Sequence, residues 1–263
     1  MTGRVLIIAG SDSGGGAGIQ ADIKSVTMLG GYASTAITAL TAQNTLGVQA
    51  VLSVDPGFIR AQMLSVLDDI GADVIKTGML HDAVTIETVL KTIDEIGWAG
   101  TLVVDPVMVA TSGDPLLQES ALEQLKILIG RADVVTPNIP EAQLLTGANI
   151  SGEADMEQAA VALQHIGAKN VILKGGHLEG DAVADLLLSA DQKQWVRNAK
   201  LQTRHTHGTG CTLASAVAAF IANGETVETA FTGACQFVKE AIKHAPELGV
   251  GHGPLGHMHV KSL

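Results

Sequence analysis

Short apolar, β-branched runs recur along the chain, separated by longer stretches of helical periodicity. Runs at residues 5–9, 48–54, 74–77, 102–105, 134–136 and 171–174 predict strands. They are continuously apolar, the pattern of strands covered on both faces. Stretches at 18–29, 57–70, 83–96, 120–129 and 156–166 predict helices between them. Two consecutive helices, 209–223 and 227–245, are predicted to close the chain, and 182–204 reads as a β-hairpin or meander. The repeated β-then-α order predicts an α/β fold with a mostly parallel, doubly wound central sheet and helices on both faces. No repeat, low-complexity linker or boundary interrupts the pattern, so one domain over residues 1–263 is expected.

Composition narrows the partners. Apolar residues make up 46% of the chain, enough for a large buried sheet. Aromatics at 3% and a net charge of −11 argue against nucleic acid, which wants stacking platforms and a basic face. No apolar run is long enough to span a membrane, and the start of the chain, which enters a strand-like run directly, does not read as a leader. The two cysteines, Cys211 and Cys235, form neither a disulfide framework nor a metal-binding spacing. A reducing cytoplasm is the expected compartment. An anionic small ligand remains compatible with the acidic chain if backbone N–H groups and a few lysines supply a local positive field.

The unusual polar and glycine residues fall just after predicted strands. Residues 10–16 follow the first, Gly78 and Met79 follow 74–77, Asp105 ends 102–105, Asn138 follows 134–136, and Lys174 precedes two glycines. Parallel sheets bind ligands at the carboxyl ends of their strands, so these residues are expected on one rim. The segment 207–212, HGTGCT, opens the penultimate helix. The first N–H groups of a helix lack internal partners, and glycines let an anion approach them. Gly208, Thr209, Gly210 and Cys211 therefore read as an anion hole for a transferring phosphoryl group, or as a plain glycine-rich helix start with a buried cysteine. In the first reading the helix terminus lowers the Cys211 thiol pKa, so that it could act as a base toward a substrate hydroxyl.

The remaining motifs each admit two roles. The glycine loop 10–18 lacks the Gly-Lys-Ser/Thr of a P-loop and the spacing of a dinucleotide fingerprint, leaving backbone approach to a ligand or tight strand–helix packing. Asn138-Ile139-Pro140-Glu141 fits a capping box, and Glu141 could also help hold Mg²⁺. Lys174 is expected to meet phosphate, since an unpaired buried ammonium is costly. Asp105 reads as a strand-end carboxylate or a cap. Gln43 and Asn44 are expected in a polar loop, where an amide can read a heterocycle edge or stabilise a turn. His205, His207, His252, His257 and His259 are read as surface or loop residues, because no third metal ligand accompanies either His-x-His pair.

Together the segments 9–22 (AGSDSGGGAGIQAD), 38–45 (TALTAQNT), 76–80 (KTGML), 112–117 (SGDPLL), 136–142 (TPNIPEA) and 207–213 (HGTGCTL) resemble the hydroxymethylpyrimidine and phosphomethylpyrimidine kinases of thiamine biosynthesis, a branch of the ribokinase-like superfamily. The resemblance covers nearly the whole chain, in order. It implies a ribokinase-like three-layer α/β sandwich, ATP with Mg²⁺, and a homodimer. It also implies two phosphorylations, of 4-amino-5-hydroxymethyl-2-methylpyrimidine and then of its monophosphate. By similarity, Gln43 pairs with the pyrimidine, helped by Asp22 and by loop backbone around Gly10 and Ala17, and Met79 and Val107 pack on the ring. Gly208 to Cys211 form the anion hole, with Cys211 at the place where many sugar kinases carry an aspartate base. Asp105, Asn138, Glu141, Lys174 and Thr209 serve the nucleotide, Glu141 and Asp105 on the metal side. Relatives in the same branch phosphorylate pyridoxal or pyridoxine, the alternative substrate class. A non-catalytic pyrimidine binder would need only the ring pocket, and a nicotinamide oxidoreductase would need the missing fingerprint.

Overall fold

The computed structural model describes residues 2–260. In chain order the main elements are β1 (Arg4–Asp12), α1 (Gly18–Met28), β2 (Tyr32–Asn44), β3 (Gly47–Ser53), α2 (Pro56–Asp69), β4 (Val74–Thr77), α3 (Ala83–Glu95), β5 (Thr101–Val104), α4 (Leu122–Ile129), β6 (Val134–Val135), α5 (Ile139–Thr146), α6 (Glu153–Ile166), β7 (Asn170–Leu173), β8 (Ala182–Leu188), β9 (Lys193–Ala199), α7 (Thr209–Ala222) and α8 (Val227–Lys243). The strands form one nine-stranded sheet in the order β3-β2-β1-β4-β5-β6-β7-β8-β9. The six strands from β2 to β7 in that order are parallel. β3, β8 and β9 add antiparallel edges.

Both faces of the sheet are covered, which explains the continuous apolar runs. On β1, Leu6 and Ile8 point into one core with Ile75, Val104 and residues of α2 to α6, while Val5, Ile7 and Ala9 point into the other with residues of α1, α7 and α8. A strand buried on both faces has no polar side to show.

Three readings of the sequence need correction. The segment 48–54 is an antiparallel edge rather than part of the parallel series, because it returns along β2 through a tight turn at Thr45 and Leu46. The strand β2 was missing from the prediction as a whole. Its burial runs mixed rather than continuous, so it carries neither clear signature. Gln43 and Asn44 are its last residues, paired with Val48 and Gly47, and not a loop beyond it.

Candidate active site

The carboxyl ends of β1, β4, β5, β6 and β7 do converge. A cavity of about 550 Å³ lies along that rim, with Gly10, Gln43, Met79 and Val107 at one end, Gly208 to Cys211 and Asp105 in the middle, and Lys174, Asn198, Lys239 and Ile242 toward the other. Residues from both ends of the chain therefore meet in one volume of drug-like size.

The centre is the start of α7. Gly208 is its N-cap in the left-handed region at φ 87°, and no side chain caps the helix. The loop lies directly against the N-terminal glycine loop, so a Cβ on Gly208 would overlap the carbonyl oxygen of Gly16. The glycine supplies both the unusual φ and the close approach. The helix dipole and the first free N–H groups then face the cavity.

The Cys211 thiol lies at this spot but departs from expectation. Burial pushes its pKa up to about 12, with the nearby Lys76 ammonium opposing and Asp22 and Asp105 adding to the rise. The helix terminus does not win, because enclosure and two carboxylates outweigh it. Near neutral pH the group is a thiol.

Asp105 follows β5. Its Oδ1 accepts from the Thr136 hydroxyl at 3.0 Å and from Lys174 Nζ at 3.1 Å, while the buried Oδ2 has no partner among the described residues. Lys174 Nζ would lie 3.1 Å from a Cβ on Gly210, so this pair sits directly beside the anion loop. Burial opposes the lysine charge, but Asp105 and Glu141 hold its pKa above the ordinary value.

Asn138 and Glu141 form the expected capping box. The Asn138 side chain accepts from Glu141 N at 2.9 Å, and Glu141 Oε2 accepts from Asn138 N at 2.8 Å. Both residues also line the cavity, so the cap and the proximity to ligand coexist. Burial raises the Glu141 pKa to about 7, with Lys174 pulling down and Asp105 pushing up. The folded protein thus favours the neutral acid, whereas the unfolded chain ionises at the ordinary carboxylate value. The stabilisation from this group is full below that ordinary value and is lost as pH rises through about 7. Thermal melts of the free protein between about pH 5 and about pH 8 are expected to show that decline, and Glu141→Gln to flatten it.

The donor set fits a magnesium ion held mostly by phosphate and water. Among the described residues no three His, Cys, Asp or Glu side chains cluster as a self-sufficient metal site. Mg²⁺ characteristically takes one or two protein carboxylates and leaves its other positions to phosphates and water. The unpartnered Asp105 Oδ2 supplies one such oxygen, with Glu141 beside it.

At the Gln43 end of the cavity, Gly10 packs on Met79, whose Sδ would be 3.0 Å from an added Cβ. Ala17 and Val107 also line this part. Gln43 Oε1 accepts from the Thr41 hydroxyl at 3.1 Å, and its amide nitrogen stands 3.3 Å from His207 Nε2 on the cavity wall. Asp22 does not belong to this lining. Its carboxylate is fully buried behind the cavity, 2.9 Å from Lys76 Nζ and 2.7 Å from the Ser215 hydroxyl. The reason is its side of α1, which packs against α7 and β1 and meets Lys76 of β4 instead of facing the rim.

The histidine reading also changes. His205, His207 and His257 are buried, while His252 and His259 are exposed. His207 lines the cavity and its Nε2 lies 2.8 Å from Asp12 Oδ2. Asp12 also accepts from the N–H groups of Gly14, Gly16 and Ala17. Burial works against the Asp12 charge, yet His207 and these backbone groups hold its pKa below the ordinary value. Asp12 and His207 thus lock the two glycine loops together, a role with no sequence signal beyond the aspartate inside one loop and the histidine preceding the other.

Known proteins place this arrangement. The chain superposes on a Bacillus subtilis pyridoxal kinase solved as an ADP complex with a TM-score of 0.90, at 35% identity and covering 99% of both chains. A Staphylococcus aureus pyridoxal kinase in complex with AMP-PCP and pyridoxal matches with a TM-score of 0.90 and 33% identity, over 100% of this chain and 96% of that one. The fold and the strand-end rim are therefore those of a ribokinase-like small-molecule kinase. Residues 12–256 match the family described as phosphomethylpyrimidine kinase, and the chain belongs to that family. It is 46% identical to the hydroxymethylpyrimidine/phosphomethylpyrimidine kinase of Bacillus subtilis over 98% of this chain and 96% of the relative. It is 50% identical, over 97% of its length, to the bifunctional thiamine biosynthesis protein of Geobacter sulfurreducens, of which it spans about half (52%).

Proposed function

We propose that the chain transfers the γ-phosphoryl group of ATP to 4-amino-5-hydroxymethyl-2-methylpyrimidine, and then a second one to the resulting monophosphate, in thiamine diphosphate biosynthesis. The observation that carries this reading is the continuous cavity from Gln43, Met79 and Val107, past the start of α7, to Lys174. A ring bound at one end and a nucleotide at the other would meet at Gly208–Cys211. The high identity to pyrimidine kinases supports the substrate.

In this reading Gly10, Ala17, Met79 and Val107 enclose the ring and Gln43 donates to its edge. Gly208, Gly210 and Cys211 present backbone N–H groups to the transferring phosphoryl, while the Thr209 N–H donates to the Thr206 carbonyl. Asn138, Glu141, Lys174, Asp105 and Thr209 serve the nucleotide end, where Lys174 neutralises phosphate charge. Asp105 and Glu141 are the residues that would hold Mg²⁺, which when bound would neutralise charge on the phosphates. Phosphoryl transfer through a loose transition state depends mainly on positioning and electrostatics, so a strong base at the acceptor hydroxyl is not required. Cys211 then acts by shape. Cys211→Ala is expected to slow both phosphorylations by a similar factor, roughly tenfold or less. Slowing of the first step alone by roughly 10²–10⁴-fold would instead make the thiol the proton acceptor.

The test of the function is a product assay with the pyrimidine alcohol and MgATP, expected to yield monophosphate and then pyrophosphate. A higher kcat/KM for pyridoxal than for the pyrimidine would reverse the assignment in favour of the alternative, to which the solved pyridoxal kinases at 33–35% identity lend their fold.

The same proposal treats residues 1–263 as one kinase domain working as a homodimer in the cytoplasm. Leu46 and Leu52, each 65% exposed on the β2–β3 hairpin, offer a second copy an apolar face. Among the described residues no helix is long and apolar enough to cross a membrane.

A further inference from the structure

Lys76 is among the largest fully buried side chains of the described residues, and none of the roles above uses it. It lies on β4 on the same side as Val74, facing α1 and α7. Its ammonium is 2.9 Å from Asp22 Oδ1, and both side chains are 0% exposed. The same Asp22 oxygen accepts from the Ser215 hydroxyl at 2.7 Å. Ser215 is one helical turn beyond Cys211, on the same face of α7. Burying an ion pair this completely is costly, and apolar residues of similar volume would serve packing as well or better.

The pair is also oriented. A Cβ on Gly78, a residue of the cavity wall, would stand 3.1 Å from Lys76 Nζ. Asp22, held by Ser215, does not line the cavity. The ammonium thus stands directly behind a glycine of the cavity wall, and both charges are felt at Cys211, that of Lys76 more than that of Asp22. Asp22 Oδ2 and the Thr77 hydroxyl have no partner among the described residues, so packing has not optimised this spot for stability.

We infer that the Lys76–Asp22 pair is a positioning device for the second phosphorylation, its ammonium supplying a fixed positive field behind Gly78 toward an acceptor that is itself a phosphate. This rests on the functional reading above. The two acceptors differ in charge, since the alcohol is neutral whereas a monophosphate carries roughly −1.5 to −2 near neutral pH. A fixed field acts in proportion to the charge it meets, and it acts strongly where water is excluded. Lys174 serves the nucleotide end, so the ammonium of Lys76 is the buried cation at the Gly78 wall.

The test is the double variant Lys76→Met/Asp22→Asn, which removes the field without leaving a buried charge unpaired. Single-turnover rates are measured separately from the alcohol and from the monophosphate, together with thermal melts. The expected result is a second step slowed roughly 10–100-fold and a first step changed by about threefold or less. Lys76→Met alone should melt lower than the double variant, because it strands the Asp22 carboxylate. Equal slowing of both steps in the double variant, or no slowing of either, overturns the inference and assigns the pair to packing. Wild-type protein that makes monophosphate but no pyrophosphate overturns the functional reading and this inference together, an outcome distinct from the former.

Discussion

Gly208→Ala is expected to lower kcat for both phosphorylations by roughly 10²–10³-fold, the loss associated with displacing oxyanion-type donors. Two independent constraints meet at this residue. Its φ of 87° is one that residues with a side chain rarely adopt, and the added methyl would overlap the carbonyl oxygen of Gly16. Neither neighbour yields easily, because Gly16 N is hydrogen-bonded to Asp12 and Asp12 in turn to His207. The loop must therefore shift, and its N–H groups move away from where the proposed reaction would bring the phosphoryl group. The KM for the pyrimidine should change far less than kcat, since Gln43, Met79 and Val107 lie outside the displaced loop. Steady-state kinetics on both acceptors check this, with thermal melts to separate unfolding from misplacement. A folded variant with unchanged kcat would remove the α7 start from the reaction.

Asp105→Asn is the second large effect. The substitution keeps the shape and a hydrogen-bond acceptor for Thr136 but removes the charge that pairs with Lys174 and the free oxygen offered to a metal. Activity is expected to fall roughly 10²–10³-fold, because charge placement at the phosphates is most of what a phosphoryl-transfer site provides. The Mg²⁺ concentration giving half-maximal rate should rise as well. The pH response of Glu141 should change in a defined direction. Asp105 now helps hold that carboxyl up, so removing its charge lets the pKa of Glu141 fall and moves the loss of stability to lower pH. Magnesium titrations and pH-dependent melts read the two effects separately. An unaltered magnesium requirement would place the metal elsewhere.

The parallel sheet was legible because its strands are buried on both faces, which leaves continuous apolar runs such as Leu6 to Ala9 and Val103 to Val104. The rim was legible for a related reason. A strand in the core admits few polar residues except where it ends, Lys76 being an exception, so Asp105, Asn138 and Lys174 announced their own positions. The strand next to the sheet edge was harder. β2 alternates neither cleanly nor continuously, and Gln43 was therefore assigned to a loop although it closes a strand.

The site separates the two kinds of information more sharply. Local sequence was sufficient for the α7 start after Gly208 and for the capping box at Asn138 and Glu141, and the strand ends put Gly10, Met79 and Val107 along the cavity, since backbone conformation and strand ends are short-range matters. It could not determine charge states or which side a polar residue faces. The Cys211 thiol was expected low from its helix position and is pushed up to about 12, because burial acts together with the carboxylates of Asp22, on α1, and Asp105, just after β5. Asp22 was placed with the substrate and lies behind it, paired with Lys76 from β4 and Ser215 from α7. His207 read as a loop residue and proves to tie two loops through Asp12, 195 positions away. Electrostatics and burial sum over neighbours in space. The tertiary structure alone decides who those neighbours are.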